Sequence, residues 1–227
     1  GPNGCEERAL EAVAGLSDFL GRWPVVWVDV DGLGNLDVIR SLAATFRLHD
    51  LALEDVVNAH QRAKAEDYVH HLFLVMRGVS GVEAVTTEQV TLFLGDGYLL
   101  SFHDAGGWNL DHVRERLRRA VSPLRRTGAD HLAYTILDTV IDGYFPLLER
   151  LGETLEQLEE EVIAEHDPQI ISRIHQVKHD LLHLRRAVWP LREMLNALIR
   201  DPLPFLTEPT RVYLRDAYDH CVQLMDM

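Results

Sequence analysis

A heptad repeat in the last third of the chain constrains the fold more than any other feature. Between residues 170 and 198, apolar residues follow one another at alternating intervals of four and three. This spacing predicts one long helix with an apolar seam, as in a coiled coil. Residues 151–162 carry a second helical pattern, and the His-Asp-Pro sequence of residues 166–168 separates the two. Because this connection is short, we predict an antiparallel helical hairpin. The predicted seam comprises Ile170, Ile174, Val177, Leu181, Leu184, Val188, Leu191, Leu195 and Leu198.

The first half of the chain shows a different pattern, in which strand and helix signals alternate. Strands are predicted over residues 25–30, 69–79, 85–94 and 98–103, with a Gly-Asp-Gly hairpin turn between the last two. Helices are predicted over residues 36–48, 50–57 and 108–121, and Asp50 is the predicted N-cap of the second. This alternation predicts an α/β layered domain with a mixed sheet.

The chain therefore divides into three predicted parts. An α/β domain covers residues 5–128, the helical hairpin covers residues 129–200, and a further helix starts within residues 201–227. Residues 1–4 begin with Gly-Pro, and we expect them to be the remnant of a cleaved tag. The last helix is still periodic at Met227 without a closing cap, so we expect the native chain to continue as the same helix; a frayed end is the alternative. Its predicted apolar face comprises Leu214, Ala217, Cys221 and Leu224.

Composition excludes one broad class of partner. The chain has 227 residues, with 22 basic and 36 acidic side chains and a formal charge of −14. Binding to a nucleic-acid backbone requires a basic surface, so we expect no nucleic-acid partner and favour cations or basic partners. The two cysteines make no disulfide framework, which is typical of a reducing compartment. No run of 18 uncharged apolar residues is present, so we expect a soluble, cytosolic piece of protein.

The sequence carries no convincing enzyme motif. Gly32 and Gly34 follow a predicted strand as in a dinucleotide-binding loop, but Asp37 stands where the third glycine is needed. Ser101, His103 and the adjacent Asp104 lie on one strand, where successive side chains face opposite ways and cannot form a triad as they stand. We therefore expect that the protein is not an enzyme.

Carboxylates and histidines recur at spacings that suit metal ions. Clusters of oxygen ligands favour hard cations such as Mg²⁺, although ordinary surface acids give the same pattern. A histidine stripe at intervals of four is compatible with zinc or with a solvated helix face. The carboxylate groups are Glu54 with Asp55, Asp138 with Asp142, and Asp216 with Asp219 and His220; the stripe is His175, His179 and His183.

One stretch resembles a known family of transporters. Residues 53–64, LEDVVNAHQRAK, are similar to the L-E-D-x-x-N-x-x-Q-R-P-K motif of the CorA family of divalent-cation transporters. Ala63 departs from the usual proline, which loosens a turn and changes no ligand. Later blocks follow in the family's order: HQVK at 175–178, LR at 184–185, WPLRE at 189–193 and YLRDAYDH at 213–220. The resemblance covers the chain from about residue 25 to its end.

The resemblance implies an architecture and a function. CorA proteins are homopentameric Mg²⁺ channels that also pass Co²⁺ and Ni²⁺. Each protomer has a cytosolic α/β domain, an antiparallel pair of willow helices and a stalk helix that continues into the membrane. The pore and its Gly-Met-Asn signature follow the stalk and are not in this sequence. The chain is thus expected to be the regulatory domain at the cytoplasmic face of the plasma or inner membrane, with a truncated stalk helix.

The resemblance also implies where regulatory Mg²⁺ binds. In the family the site lies between protomers, which places Asp55 of one chain opposite Asp216 of the next. A second, weaker site would add Glu54 and Asp138, and His220 lies one turn from Asp216. Bound Mg²⁺ is expected to offset the repulsion between these acids and to close the pore.

Two alternatives remain open at this point. One is the cytosolic domain of a zinc transporter of the same superfamily, similar to ZntB, in which the histidine stripe would matter. The other is a soluble coiled-coil interaction protein without a transport role. The sequence does not distinguish Mg²⁺ from Co²⁺, Ni²⁺ or Zn²⁺, and it does not fix the oligomeric state of the isolated domain.

Overall fold

The computed structural model describes residues 1, 4–10, 12–80, 85–104, 110–164 and 168–227. The predicted His-Asp-Pro helix break and the start of the helix predicted over residues 108–121 lie partly outside these ranges. Within the described residues, no helix has both the length and the apolar character needed to cross a bilayer.

A five-stranded mixed sheet forms the centre of the first half. Its spatial order is β1-β5-β4-β3-β2; β1 runs parallel to β5, and the other neighbours are antiparallel. The strands are β1 (Val26–Asp31), β2 (Lys64–Tyr68), β3 (His71–Ser80), β4 (Thr86–Gly95) and β5 (Tyr98–His103). The mixed sheet was predicted, but β2 was not, because its sequence KAEDY is mostly charged and lacks a strand pattern. A charged strand at a sheet edge discourages pairing with other chains.

Seven α-helices surround or follow the sheet in the described part of the chain. They are α1 (Leu36–Phe46), α2 (Asp50–Val57), α3 (Asp111–Arg118), α4 (Ala129–Asp142), α5 (Tyr144–Ala164), α6 (Pro168–Arg200) and α7 (Glu208–Asp226), and short 3₁₀ helices cover Val13–Asp18 and Pro123–Arg126. The predicted N-cap of α2 was wrong by one residue. His49 caps this helix, because its Nδ1 accepts a hydrogen bond from the Leu51 amide at 3.2 Å.

The two faces of the sheet bury different helices. On one face, Phe73 and Phe93 pack with Leu42 and Val56, which come from α1 and α2. On the other face, sheet residues such as Leu74 share one apolar cluster with α4, α5, α6 and α7. This division follows from the alternation of side chains along each strand. The sheet therefore separates α2 from α4 and α7, which matters for the predicted metal ligands.

The helical hairpin is present as α5 and α6, and the heptad seam is buried over most of its length. Val177, Leu184 and the seam residues from 188 to 198 are at most 5% exposed, and Leu181 is partly buried. Ile174, in contrast, is 38% exposed, so its predicted place in a buried seam was wrong. A helix that packs against one other helix buries a narrower strip of its surface than a helix that packs against several elements. Besides α5, α6 contacts α7, β2 and β3. The buried face accordingly widens after residue 184 to include Ala187 and Met194.

The last helix begins within residues 201–227, as expected, and its predicted apolar face is confirmed. Thr207 is the N-cap of α7, and the four predicted apolar residues are each at most 4% exposed. The predicted domain boundaries at residues 128 and 200 stay predictions. The structure adds that α4, assigned above to the hairpin region, packs directly on β3, β4 and β5.

Candidate metal centre

Two buried polar residues fix the corner where α6 turns into α7. Asp130 of α4 accepts hydrogen bonds from the Thr207 amide at 3.0 Å and the Thr207 hydroxyl at 2.6 Å, so it anchors the N-cap residue of α7. Arg211 of α7 donates to the carbonyl oxygens of Leu198 at 2.7 Å and Ile199 at 3.0 Å, which satisfies the last turn of α6. These contacts hold α7 against α4 and thereby position the acids described next.

An acidic cluster lies further along the same pair of helices. Asp138 and Asp142 are one turn apart on α4, and His220 approaches them from α7; the three residues offer ligand atoms within 4.8 Å of one another. Asp216 lies one turn before His220, with 4.0 Å between its Oδ2 and the His220 Nε2. Two adjacent helices thus present three carboxylates and one imidazole to a single region.

Burial and neighbouring carboxylates disfavour the ionised form of Asp138 in this cluster. Burial, followed by the charges of Asp142 and Asp216, raises the pKa of Asp138, although a hydrogen bond from Tyr134 partly opposes this. Burial and the same carboxylates also raise the pKa of Tyr134, which keeps its hydroxyl a donor. Among the residues that the structure describes, the buried Asp138 Oδ1 and His220 Nδ1 have no hydrogen-bond partners. A divalent cation would neutralise the repulsion, and carboxylate oxygens with few protein ligands fit Mg²⁺.

The acids of the L-E-D motif have a separate environment on α2. The Asp55 side chain is 19% exposed, and its Oδ2 lies 2.6 Å from the Lys64 Nζ. Lys64 also contacts Glu66 at 2.7 Å. Burial lowers the pKa of this lysine, but the hydrogen bonds to Asp55 and Glu66 outweigh burial and raise it overall. Gln89 of β4 donates to the Asp55 carbonyl at 2.7 Å and fixes the end of α2, whereas Glu54 is exposed.

The structure brings two of the four predicted metal ligands together within one chain. Asp138 and Asp216 share the acidic cluster between α4 and α7. Glu54 and Asp55 lie on α2, which packs on the opposite face of the sheet. The placement of Asp55 opposite Asp216 of a neighbouring protomer stays a prediction.

Asp142 and His220 belong to the cluster but were not among the predicted ligands. Within the described ranges they complete, with Asp138, the one group of three such side chains that could hold a metal ion. The signal was present in the sequence as an i, i+4 pair of aspartates and an Asp-x-x-x-His spacing. The two spacings could not be combined, because the sequence of neither helix shows how α4 and α7 are aligned along each other.

The histidine stripe does not form a comparable group in the described part of the chain. The rings of His179 and His183 stack with centroids 6.4 Å apart. The His183 Nε2 lies 3.5 Å from the Thr87 hydroxyl, and the His179 Nδ1 lies 3.7 Å from Asp180. His175 is exposed. The stripe therefore gives less support to a zinc site than the sequence spacing alone.

A buried polar network on β1 and β5 was not anticipated. Asp29 accepts hydrogen bonds from Ser101 and Arg114, and the His103 Nε2 lies 3.3 Å from it. Burial raises the pKa of Asp29, but the hydrogen bonds from His103 and Ser101 outweigh burial and lower it. Ser101 donates to the carboxylate and not to the imidazole, so no nucleophile–base pair is formed. The parallel pairing of Asp29 with Ser101 could not be read from the sequence.

Comparisons with known proteins identify the family. Residues 24–227 match the model of the CorA-like Mg²⁺ transporter protein family. The cobalt/magnesium transport protein CorA of Thermotoga maritima is 37% identical over 203 residues, which are 88% of this chain and 58% of that protein. The chain thus spans little more than half the length of this relative.

Solved structures of similar fold agree with this assignment. The soluble domain of CorA from Methanocaldococcus jannaschii matches with a TM-score of 0.80 and 19% identity, over 97% of this chain and 86% of that one. The cytoplasmic domain of ZntB from Vibrio parahaemolyticus matches with a TM-score of 0.72 and 16% identity, over 88% and 79%. Both matches concern the fold alone and confirm the predicted arrangement of mixed sheet and long helices. The family match and the Thermotoga relative together show that this chain belongs to the CorA-like Mg²⁺ transporter family.

Proposed function

We propose that this chain is the cytosolic, metal-sensing part of a CorA-type divalent-cation transporter, and that Mg²⁺ bound to it favours the closed pore. The observation that carries the proposal is the acidic cluster between α4 and α7. In the described part of the chain, its buried Asp138 Oδ1 has no hydrogen-bond partner. Like charges held together on packed helices are unfavourable unless a cation joins them. The role is regulatory and not enzymatic.

The residues of one chain supply only part of each proposed site. Asp138 and Asp216 would hold Mg²⁺ on the α4–α7 side, and Glu54 and Asp55 of a neighbouring protomer would complete the ligand set. Mg²⁺ retains several waters and accepts one or two carboxylates, so a site shared in this way suits its coordination chemistry. Co²⁺ or Ni²⁺ would bind to the same oxygen ligands, and His220 offers them an imidazole nearby.

The ion pair of Asp55 sets a condition on this arrangement. Because Lys64 already lies 2.6 Å from the Asp55 carboxylate, a cation at that carboxylate would have to share it with Lys64 or displace it. The lysine also keeps the carboxylate oriented, with Glu66 as its second partner. We therefore expect weak Mg²⁺ binding, which suits a sensor of free Mg²⁺ in the cytosol.

Charge connects metal binding to the assembly of protomers. A homopentamer multiplies the formal charge of −14 fivefold, so facing carboxylates repel one another across each interface. Bound Mg²⁺ would offset this repulsion and stabilise the symmetric, closed arrangement. The effect on the pore can be only as large as the difference in Mg²⁺ affinity between closed and open states. The assembly would lie at the cytoplasmic face of the membrane, to which further sequence beyond the stalk helix would anchor it.

The zinc-transporter alternative has weaker support. It depends on the histidine stripe, whose members point to separate partners, whereas the carboxylates converge. The alternative of an unrelated coiled-coil protein is not consistent with membership of the family.

Thermal unfolding of the chain with and without MgCl₂ tests the proposal. Asp138→Asn should raise the melting temperature of the metal-free protein, because it removes a buried charge from a repulsive cluster, and should reduce the stabilisation by Mg²⁺. The matched control is Asp219→Asn, which removes an exposed carboxylate of the partner helix α7 that lies outside the group of Asp138, Asp142 and His220. A change of about 1 kcal/mol corresponds to roughly 2–4 °C for a chain of this size. Equal Mg²⁺ responses in the wild type and both variants would contradict the proposal.

A further inference from the structure

A cavity of about 400 Å³ lies at the β1 edge of the sheet, away from the acidic cluster. Its walls come from the N-terminal segment, β1, α3, the second 3₁₀ helix and the start of α4. Apolar side chains such as Leu16 and Leu132 and the indole rings of Trp23 and Trp27 line it. Small-molecule sites typically have volumes of about 300–1,000 Å³ and combine apolar walls with a few polar groups.

The charge in this cavity is opposite to that of the whole protein. Four arginines and three acids line it, although the chain has a formal charge of −14. Three of the arginines form ion pairs with these acids. The pairs are Arg8 with Glu6 at 2.6 Å, Arg118 with Glu7 at 2.8 and 2.9 Å, and Arg114 with Asp29. One cationic side chain is therefore left over.

That side chain is Arg125, in the 3₁₀ helix Pro123–Arg126. Among the described residues it has no ion-pair or hydrogen-bond partner, and its Nε is buried. The Trp23 Nε1, which belongs to the same cavity lining, is also buried without an acceptor. Buried donors are nearly always paired in folded proteins, with protein, water or ligand atoms. The Arg125 guanidinium group thus adds one unbalanced positive charge to the cavity lining.

We propose that this cavity binds a small organic anion, with a carboxylate or phosphate group at the Arg125 guanidinium group and a compact apolar or aromatic body against the walls. The planar guanidinium group binds either oxyanion through paired hydrogen bonds. Trp23 contributes an aromatic surface to the cavity lining. None of the acids of the α4–α7 cluster lines the cavity, so this site is independent of the proposed Mg²⁺ site.

Titration of the chain with benzoate and with phenyl phosphate, followed by nuclear magnetic resonance and calorimetry, tests the proposal. The four tryptophans give four indole N–H signals, and Trp23→Phe assigns one of them because it removes the N–H and keeps an aromatic ring. We expect at least one of the two anions to shift the Trp23 indole signal. The anion that binds more tightly shows whether the cavity prefers a carboxylate or a phosphate group. Benzamide, which matches benzoate in shape but is neutral, should bind about tenfold more weakly or not at all.

Two neighbouring arginines provide a matched pair of variants. Arg125→Gln should weaken anion binding by about tenfold or more, since it removes the unpaired charge. Arg126→Gln removes an exposed arginine outside the cavity lining and should leave binding unchanged. The proposal is overturned if neither anion shifts the Trp23 signal, or if the two variants bind alike. If Arg125→Gln does not fold, equal binding of benzoate and benzamide by the wild type overturns it instead.

Discussion

The hydrogen bonds of Asp130 make a quantitative prediction about the α6–α7 corner. This aspartate is 6% exposed and accepts two hydrogen bonds from Thr207, one from the amide and one from the hydroxyl. Each hydrogen bond to a charged group contributes about 1.5–3 kcal/mol to stability. Because the Thr207 groups regain water in part, we expect Asp130→Ala to lower the free energy of unfolding by about 2–3 kcal/mol.

Urea denaturation followed by circular dichroism measures this difference at neutral pH. The expected loss corresponds to a decrease in melting temperature of roughly 5–10 °C for a chain of this size. The control is Asp219→Ala, which removes an exposed acid from α7 and should change stability by less than about 0.5 kcal/mol. Equal stability of the two variants would refute the stabilising role of the hydrogen bonds between Asp130 and Thr207.

The pH dependence of the same variant provides a second test. Burial raises the pKa of Asp130, but hydrogen bonds from Thr207 and Thr210 outweigh burial and hold it below the usual value of 3.8. A lowered folded-state pKa means that the stabilisation is fully present above the unfolded-state pKa and is lost as pH falls through the folded-state pKa. The stability difference between the wild type and Asp130→Ala should therefore be constant from pH 7 to about pH 5 and shrink below about pH 4. A difference that persists unchanged at pH 2 would refute the electrostatic part of the reasoning.

Three further predictions concern the seam, the ion bridge and a buried histidine. Leu184→Asp should lower stability by about 3 kcal/mol or more in urea denaturation, because Leu184 is 2% exposed, whereas Leu182→Asp at a 45% exposed position should change it little. In liposome flux assays of a full-length transporter containing this chain, Asp55→Ala and Asp216→Ala should each relieve the proposed inhibition by internal Mg²⁺. The double variant should add little, because the proposed site shares one ion between these two residues. Burial lowers the pKa of His71 to about 4, so the folded state keeps this imidazole neutral and loses stability as pH falls from 6.5 to 4. His71→Phe should reduce that loss of stability.

The sequence was sufficient to predict the architecture because most elements have strong local signals. The heptad seam and the β-branched run of β1 are patterns that lie within a single segment of the sequence, so each can be recognised without knowing the rest of the fold. The elements that were missed or misplaced have weak local signals. β2 is charged because it lies at an edge, and Ile174 keeps its heptad position although little covers it near the end of the hairpin.

The candidate site was harder to predict because its parts meet only in three dimensions. The resemblance to CorA supplied Asp138 and Asp216, whose proximity in this chain the structure then showed. Asp142 and His220 were visible as separate spacings, but only the packing of α4 on α7 brings them together. The same limit applies to Asp29 and Ser101, which are 72 residues apart and meet through parallel strand pairing.

The register between α4 and α7 follows from the contact between Asp130 and Thr207. Asp130 binds Thr207 where the two helices begin. Asp138 follows Asp130 by eight residues on α4, and Asp216 follows Thr207 by nine residues on α7. At about 1.5 Å per residue these offsets are about 12 Å and 13.5 Å, so two helices that run in parallel from this contact carry the two acids to the same height. The next turn repeats the match with Asp142 and His220. The contact between Asp130 and Thr207 at one end of the helix pair therefore helps to determine which acids face one another at the other end. Asp130→Ala should accordingly also weaken the proposed metal response of the cluster.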